Sequence, residues 1–503
     1  MLGYTKGGNY SMSNGQRDEW GSRMIIIIAA ISMAVGTGNI WRFPRVAAQW
    51  GGGSFLIALT IALVLWAIPL LMSEFLMGQR SQLGNIGAFR DFMGKKFAWV
   101  GAWMALVCIG ITFYYAVVAG WSIRYFVYAL GGAIEPGIDG QVYWDAFIAN
   151  PVETIGFHFI AVVIVFLVVY RGIKGGLESI LRILLPALFV ILIILAVRAV
   201  MLPGSVEGLR YLFVPDWGLL ASGRVWLEAF TQAAWSTGAG WGLLLVYAAY
   251  AKAKEDVGVN CTIIGFADVL AGFVAAIAVL CTVYALSPTI ELAEEALAAG
   301  NVGLTFIYVV ELLAVMPGSA VIAPLFFLAL SLAAISSLIA MIELITTNVM
   351  NFGISRQKAA ITAGIATFLF GIPSALSIDF LDNQDWVWGV GLLISGLLTA
   401  VAMMKYGVDK ARAQINETSD LYIGGWWTFL IRIIPLMFVV IFGWWVMQSI
   451  EWYPDTWWHP FEVFSTGTMV FQWVVLFIVC YALNNFFAKN VVAGPMTKKE
   501  DRE

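Results

Sequence analysis

Charge is scarce in this chain. Of its 503 residues only 12% are Asp, Glu, Lys or Arg, against 61% hydrophobic, and the mean hydropathy is +0.85. A water-facing globule carries roughly a quarter charged residues, so most of this surface must face something other than water. The basic excess that nucleic-acid binding needs is missing too: 28 Lys and Arg stand against 32 Asp and Glu, a net charge of −4. Histidine is reduced to His158 and His459, which excludes a histidine-rich metal centre. The only cysteines, Cys108, Cys261, Cys281 and Cys480, all sit in apolar runs and read as buried thiols, not as a disulfide framework. The polar, Gly/Ser-rich start lacks the basic, apolar, small-residue order of a cleaved leader. No metal-ligand spacing, Gly-rich phosphate loop or nucleophile–base pair stands out, so no enzyme is expected.

Long apolar runs are what the chain does have. Each is about 20 residues or more, enough to cross a hydrocarbon core of about 30 Å. They are continuous, without the every-second-residue alternation of a membrane barrel. The expectation is an all-α integral membrane protein with about twelve transmembrane helices, at 24–49, 54–80, 97–130, 154–170, 180–201, 225–251, 257–286, 319–351, 359–376, 386–406, 427–450 and 469–487. Between Pro288 and Pro317, two amphipathic pieces at 291–299 and 303–315 predict a helical hairpin on the outer surface. The expected organisation is an N-terminal segment (1–22), a core (23–406) of two five-helix halves (23–201 and 225–406), two further helices (425–488) and a tail (489–503). Loops on one side carry Arg17, Arg23, Arg90, Lys95, Lys96, Lys252 and Lys254 among others, while the opposite loops are acidic. Basic loops stay inside, which predicts a multi-pass plasma (cell inner) membrane protein with both termini cytoplasmic.

Two spans are broken by glycine. The first is interrupted at Gly36-Thr37-Gly38-Asn39 and the sixth at Ser236-Thr237-Gly238-Ala239-Gly240-Trp241-Gly242. Small residues in membrane helices often serve only close packing. Paired interruptions at matching places in two halves point further, to an inverted-repeat transporter with a site near the midplane. Non-helical backbone is tolerated at that depth only beside protein or a cavity. The half-helix starting near Asn39 offers free N–H groups suited to a carboxylate. The half-helix ending near Val35 offers unpaired carbonyls suited to a hard cation, to which Ser336 and Ser337 add hydroxyls. Intramembrane charges, at Arg42, Glu74, Asp268, Glu343 and Asp385, cost at least about 2.5 kcal/mol each to insert. For Arg42 and Asp385 snorkelling is the plain alternative, and for Glu74 and Glu343 it is pairing with nearby backbone or hydroxyls.

Trp20, the run Ala34 to Pro44 (AVGTGNIWRFP), the run Gly51 to Phe55 (GGGSF), Pro69-Leu70, Glu74 and Met77-Gly78 resemble the start of the neurotransmitter:sodium symporters. The likeness in span order runs to the twelfth helix. It implies alternating access and sodium-driven uptake of an amino acid, with transported Na+ and no organic cofactor. By the resemblance, the substrate site is built from Ala34, Gly36, Thr37, Gly38, Ile111, Tyr115, Trp235, Ser236, Gly238, Trp241, Ser337 and Met341. The second sodium site comprises Ser32, Val35, Ala333, Ser336 and Ser337, and the first comprises Ala34, Asn39 and Ser236. The outer gate is Arg42 with Asp385, and the inner gate Arg17 and Tyr250, with Asn351 where the family places an aspartate. Gly36 stands where monoamine carriers have an aspartate, which favours a free amino acid; Gly238 adds room and Trp235 and Trp241 take room away against the leucine transporter, which suggests a hydrophobic or aromatic side chain.

Departures from the family pattern carry expectations of their own. Ile264 stands in place of the seventh-helix asparagine ligand and Met33 in place of a polar asparagine, so the first sodium site is expected to be weak or absent. Asp268 occupies the chloride position as a fixed anion, so chloride independence is expected. Two other readings stay open on the sequence: proton coupling through Asp268 or Glu343, and a non-transporting amino acid sensor on the same scaffold.

Overall fold

The structure, a computed structural model, describes residues 18–500, and among these every regular element is a helix. In chain order they are α1 (Arg23–Ala34), α2 (Gly38–Gln49), α3 (Gly53–Ser81), α4 (Asn85–Met93), α5 (Ala98–Leu130), α6 (Gly140–Ile148), α7 (Pro151–Tyr170) and α8 (Ile173–Val200). Then come α9 (Ser205–Phe213), α10 (Gly223–Thr237), α11 (Leu243–Ala249), α12 (Val257–Leu286), α13 (Ile290–Ala298), α14 (Gly303–Val315) and α15 (Ser319–Met350). The remainder are α16 (Arg356–Leu376), α17 (Ile378–Tyr406), α18 (Val408–Asn416), α19 (Gly425–Trp452), α20 (Thr466–Ala482), α21 (Asn484–Asn490) and α22 (Pro495–Glu500).

Nine of the described helices are long and apolar enough to cross a bilayer unaided, or eleven if the bent pairs α1/α2 and α20/α21 each count as one. The remaining expected span, the sixth, is α10/α11. Its break at 238–242 leaves pieces of 15 and 7 residues, each too short alone. The two expected amphipathic pieces are helices, α13 and α14. Polar caps fix the helix starts: Asn150 accepts from Val152 and Glu153 N–H ahead of Pro151, and Asp256 accepts from Val259 N–H.

Burial separates inner helices from outer ones. The long helices α5 and α15 pack along each other in the middle and are mostly buried. Outer helices turn large apolar side chains outward, such as Leu369 and Phe370 on α16 or Leu436, Val439 and Val440 on α19. In water such a surface would promote aggregation, and in lipid it is solvated.

Both breaks lie at the centre. Helices α1 and α2 meet at 52° across Val35, Gly36 and Thr37. Between α10 and α11, Gly238, Gly240 and Gly242 all have positive φ, of 76°, 92° and 74°. A side chain would strain each of these positions. Glu74 on α3 is fully buried, and its carboxylate accepts the freed Gly240 N–H at 2.7 Å. This acid therefore pairs with backbone, the plain alternative given above, and closes a hydrogen bond the broken helix cannot.

Candidate substrate and cation site

The breaks expose main-chain groups to side chains from α5 and α15. Thr37 N–H donates to the Tyr115 hydroxyl at 3.2 Å, and Gly36 N–H to Asn39 Oδ1 at 2.9 Å. Ser336 Oγ lies 3.3 Å from the Val35 carbonyl and 2.9 Å from that of Ala333, while Ser337 Oγ donates to the Met33 carbonyl at 3.1 Å. All of these groups are buried. Val35, Ala333 and Ser336 thus form one cluster of oxygens, with the neighbouring Ser337 hydroxyl turned to the Met33 carbonyl, whereas the Ser32 hydroxyl turns back to its own helix at Ile28. That leaves Ser32 only a carbonyl to offer.

A second cluster lies across the cavity. Asp268 on α12 is fully buried, and its Oδ1 accepts from Asn39 Nδ2 at 2.8 Å and from Ser236 Oγ at 2.9 Å. Its Oδ2 is buried with no hydrogen-bond partner among the described residues. No salt bridge to Asp268 is formed by any described Lys or Arg. A buried carboxylate with one bare oxygen calls for a positive charge, a cation or a proton. Ile264, one turn earlier on α12, is buried and offers only hydrocarbon.

Between the clusters lies a cavity of about 370 Å³, lined among others by Met33, Gly36, Thr37, Gly38, Tyr115, Trp235, Ser236, Gly238, Trp241, Ser337 and Met341. That volume falls in the usual range for a small-molecule site. Trp235 and Trp241 meet edge to face at 5.3 Å. A Cβ at Gly36 would lie 2.5 Å from Ser337 Oγ and 3.0 Å from the Tyr115 hydroxyl, so a side chain there has no room. Among the described residues, a Cβ at Gly238 would meet Met33 Cε alone, at 3.3 Å, and one at Gly38 would meet none within 4 Å.

Several expected residues sit differently. Ile111 does not line the cavity: it is fully buried one turn below Tyr115, and α5 presents Tyr114, Tyr115 and Val118 instead. Arg42 and Asp385 both line the cavity without a direct bond. Arg42 holds Glu228 at 3.5 Å and Gln232, both on α10, while Asp385 accepts from the Tyr114 hydroxyl at 2.8 Å. Glu228, Gln232 and Tyr114 were missed. The four-residue spacing that puts Glu228 and Gln232 on one face of α10 was the available signal.

At the end of the bundle that carries both termini, Tyr250 donates to Glu343 at 2.9 Å, and Arg356 grips both Glu343 oxygens at 3.0 and 2.5 Å. Glu343 is fully buried. Its pairing with a cation 13 residues along the chain, at the start of α16, adds a partner the sequence did not disclose. Trp20 caps this end, donating from its ring to the Tyr247 carbonyl at 2.8 Å. Asn351 turns away to accept from Gly84 N–H at 2.7 Å. Arg17 lies outside the described residues. The cavity, by contrast, climbs towards the other end, reaching Trp50, Arg224 and the exposed Trp452.

An all-helical bundle with two midplane breaks around a solute-sized cavity defines a membrane transporter. The chain belongs to the sodium:neurotransmitter symporter family, which it matches over residues 17–136 and 149–489. An uncharacterised sodium-dependent transporter of Methanocaldococcus jannaschii is 30% identical over 448 residues, covering 86% of this chain and 90% of that protein. The sodium-dependent serotonin transporter of Drosophila melanogaster is 25% identical, covering 95% and 84%. Among solved structures, MhsT in complex with L-phenylalanine matches with a TM-score of 0.76 at 29% identity, covering 85% of this chain and 99% of that one. The protein is accordingly a multi-pass, sodium-dependent transporter and not an enzyme.

Proposed function

We propose that the protein carries a free hydrophobic or aromatic α-amino acid into the cell together with sodium, by alternating access, with both termini cytoplasmic. The observation that carries this reading is the meeting of opened backbone with the Tyr115 hydroxyl, Trp235, Trp241, Met33 and Met341 around one cavity. Helix-terminal N–H groups and a phenol suit a carboxylate. The indoles and methionines suit an apolar side chain. Crowding at Gly36 leaves no place for the acid that would receive a substrate lacking a carboxylate. MhsT, which binds L-phenylalanine, is consistent with this class.

In this reading one sodium sits among the oxygens of Val35, Ala333, Ser336 and Ser337. The first cation site is altered, not erased. Ile264 withdraws an oxygen, while Asp268 brings a carboxylate to Asn39 and Ser236. The same fixed charge makes chloride unnecessary. Competition of all twenty amino acids, and of phenethylamine, against a bound radiolabelled amino acid tests the substrate class. Phenylalanine, tryptophan or leucine should displace the label and phenethylamine should not; displacement by the amine would overturn the proposal. Counterflow of label into amino-acid-loaded proteoliposomes separates transport from sensing.

A second reading rests on the bare Oδ2 of Asp268, which a proton would satisfy as well as a cation. Uptake driven by a pH gradient without sodium would favour it.

A further inference from the structure

Between α19 and α20 the chain makes a loop, residues 453–465, at the end of the bundle where the cavity opens; Trp452, just before it, lines the cavity mouth. Six of the thirteen residues from Trp452 to Phe464 are Trp, Tyr or Phe. Some of these rings face inward. Tyr453 and Phe464 stack at 5.5 Å, and both pack on Trp386 of α17, at 6.0 and 5.6 Å. Trp386 donates its ring N–H to the Ser465 carbonyl at 3.0 Å. The loop also closes on itself: Ser465 Oγ donates to the His459 carbonyl, and Phe461 N–H to His459 Nδ1 at 3.3 Å. These contacts fix its course, so the remaining rings cannot tuck inward.

Those rings run back along α20. Trp458 is 60% exposed and Phe461 75%. Gly467 N–H donates to the Trp457 carbonyl at 2.8 Å, and a Cβ at Gly467 would collide with the Trp458 carbonyl, so the loop lies against the first turn of α20. Phe461 then meets Phe471 edge to face at 5.6 Å. Phe471 lies about 8 Å along the axis from the start of α20, at 1.5 Å per residue. With Val470, Val474 and Ile478 it belongs to the large apolar side chains that α20 turns outward. Phe461 therefore reaches down beside the lipid-facing side of a spanning helix instead of standing into water. Asp455 and Glu462, both exposed, are carboxylates that resist entry into acyl chains.

We propose that this loop docks on the bilayer, with Trp458 and Phe461 inserted where headgroups meet acyl chains and Asp455 and Glu462 holding the backbone at headgroup level. The occupant of the apolar face is lipid, because the face continues through Phe471 onto the side of α20 that lipid already covers. Tryptophan suits that boundary, since its ring is apolar and its N–H polar. Offered to water, the same rings would extend an exposed apolar patch. The loop's inner rings back Trp386, which lines the cavity, so lipid, loop and cavity mouth form one continuous set of contacts. The proposal goes beyond the transport reading and needs only that the chain spans a bilayer.

The test uses full-length protein in liposomes with one new thiol carrying an environment-sensitive nitrobenzoxadiazole probe; the four native cysteines are all buried. The probe sits at Phe461→Cys, where its apolar ring stands in for the side chain it replaces, or at Asp455→Cys as an aqueous reference on the same loop. Iodide quenches from water, and a lipid with a nitroxide high on its acyl chain quenches from the membrane. Withdrawing one large apolar side chain from water favours the docked loop roughly tenfold or more. Iodide should therefore quench the Phe461→Cys probe roughly tenfold less than the Asp455→Cys probe, and the nitroxide lipid should quench it more strongly. Equal iodide quenching at the two positions would overturn the proposal. Protection from iodide without quenching by the nitroxide lipid would overturn it too, because a second copy of the chain would then cover the face. If Phe461→Cys is not monodisperse, Trp458→Cys takes its place under the same criteria.

Discussion

Replacing Asp268 by Asn removes one negative charge from behind Asn39 and Ser236, which line the cavity, while keeping the volume and one acceptor for Ser236. The carboxylate is fully buried, accepts from Asn39 and Ser236, and has a bare second oxygen. If a sodium ion occupies that place, its attraction to a unit charge at about 4 Å and an effective dielectric near 20 is about 4 kcal/mol. At about 1.4 kcal/mol per decade, the ceiling is about a thousandfold loss of sodium affinity. Water entering the open vestibule screens part of it, so the expected loss is roughly ten- to a thousandfold. Sodium titration of amino acid binding to purified protein, in chloride and in gluconate, measures this. The parent should give the same curve in both salts. Asp268→Asn should need far more sodium, and Asp268→Ser should regain affinity in chloride only, where the anion returns the missing charge. A half-saturating sodium concentration within twofold of the parent would refute the placement of a cation at Asp268.

Three further outcomes follow from the same geometry. Ser336→Ala removes a hydroxyl lying between the Val35 and Ala333 carbonyls and should weaken sodium roughly tenfold, lowering the Hill coefficient of sodium-dependent binding towards one. Gly36→Ala places a carbon against Ser337 and Tyr115; at about 1–3 kcal/mol for overpacking, amino acid affinity should fall roughly 5- to 150-fold in equilibrium binding. Arg356→Ala strands the buried Glu343 carboxylate, a loss of about 3–5 kcal/mol that should show as a lower thermal midpoint. Adding Glu343→Gln should recover most of it.

Much of the site was legible because its chemistry sits in local runs. The glycine interruptions at 36–38 and 238–242 and the acceptors beside them lie within a few residues of one another, and a break inside an apolar run needs no partner to be noticed. The spans were legible by length, the broken one at 225–251 included, because an apolar run in the sequence reads straight through its break. What stayed hidden depends on which distant faces meet. Arg42 reaches Glu228 and Gln232, 186 and 190 residues away, and no periodicity distinguishes them from Asp385, which bonds Tyr114 instead. Ile111 shares a helix face with Tyr115, and only the depth of the cavity floor tells that the next turn upward is the one exposed. Glu343 was readable as paired but not as paired with Arg356.

The central claim is that opened main chain at the bilayer's midplane holds an amino acid and its sodium together. Purified protein in proteoliposomes, given labelled L-phenylalanine with an inward sodium gradient and no pH gradient, tests it most directly. The label should accumulate above equilibrium and be lost when the sodium gradient is dissipated. Equal accumulation in sodium-free buffer under a pH gradient would contradict it.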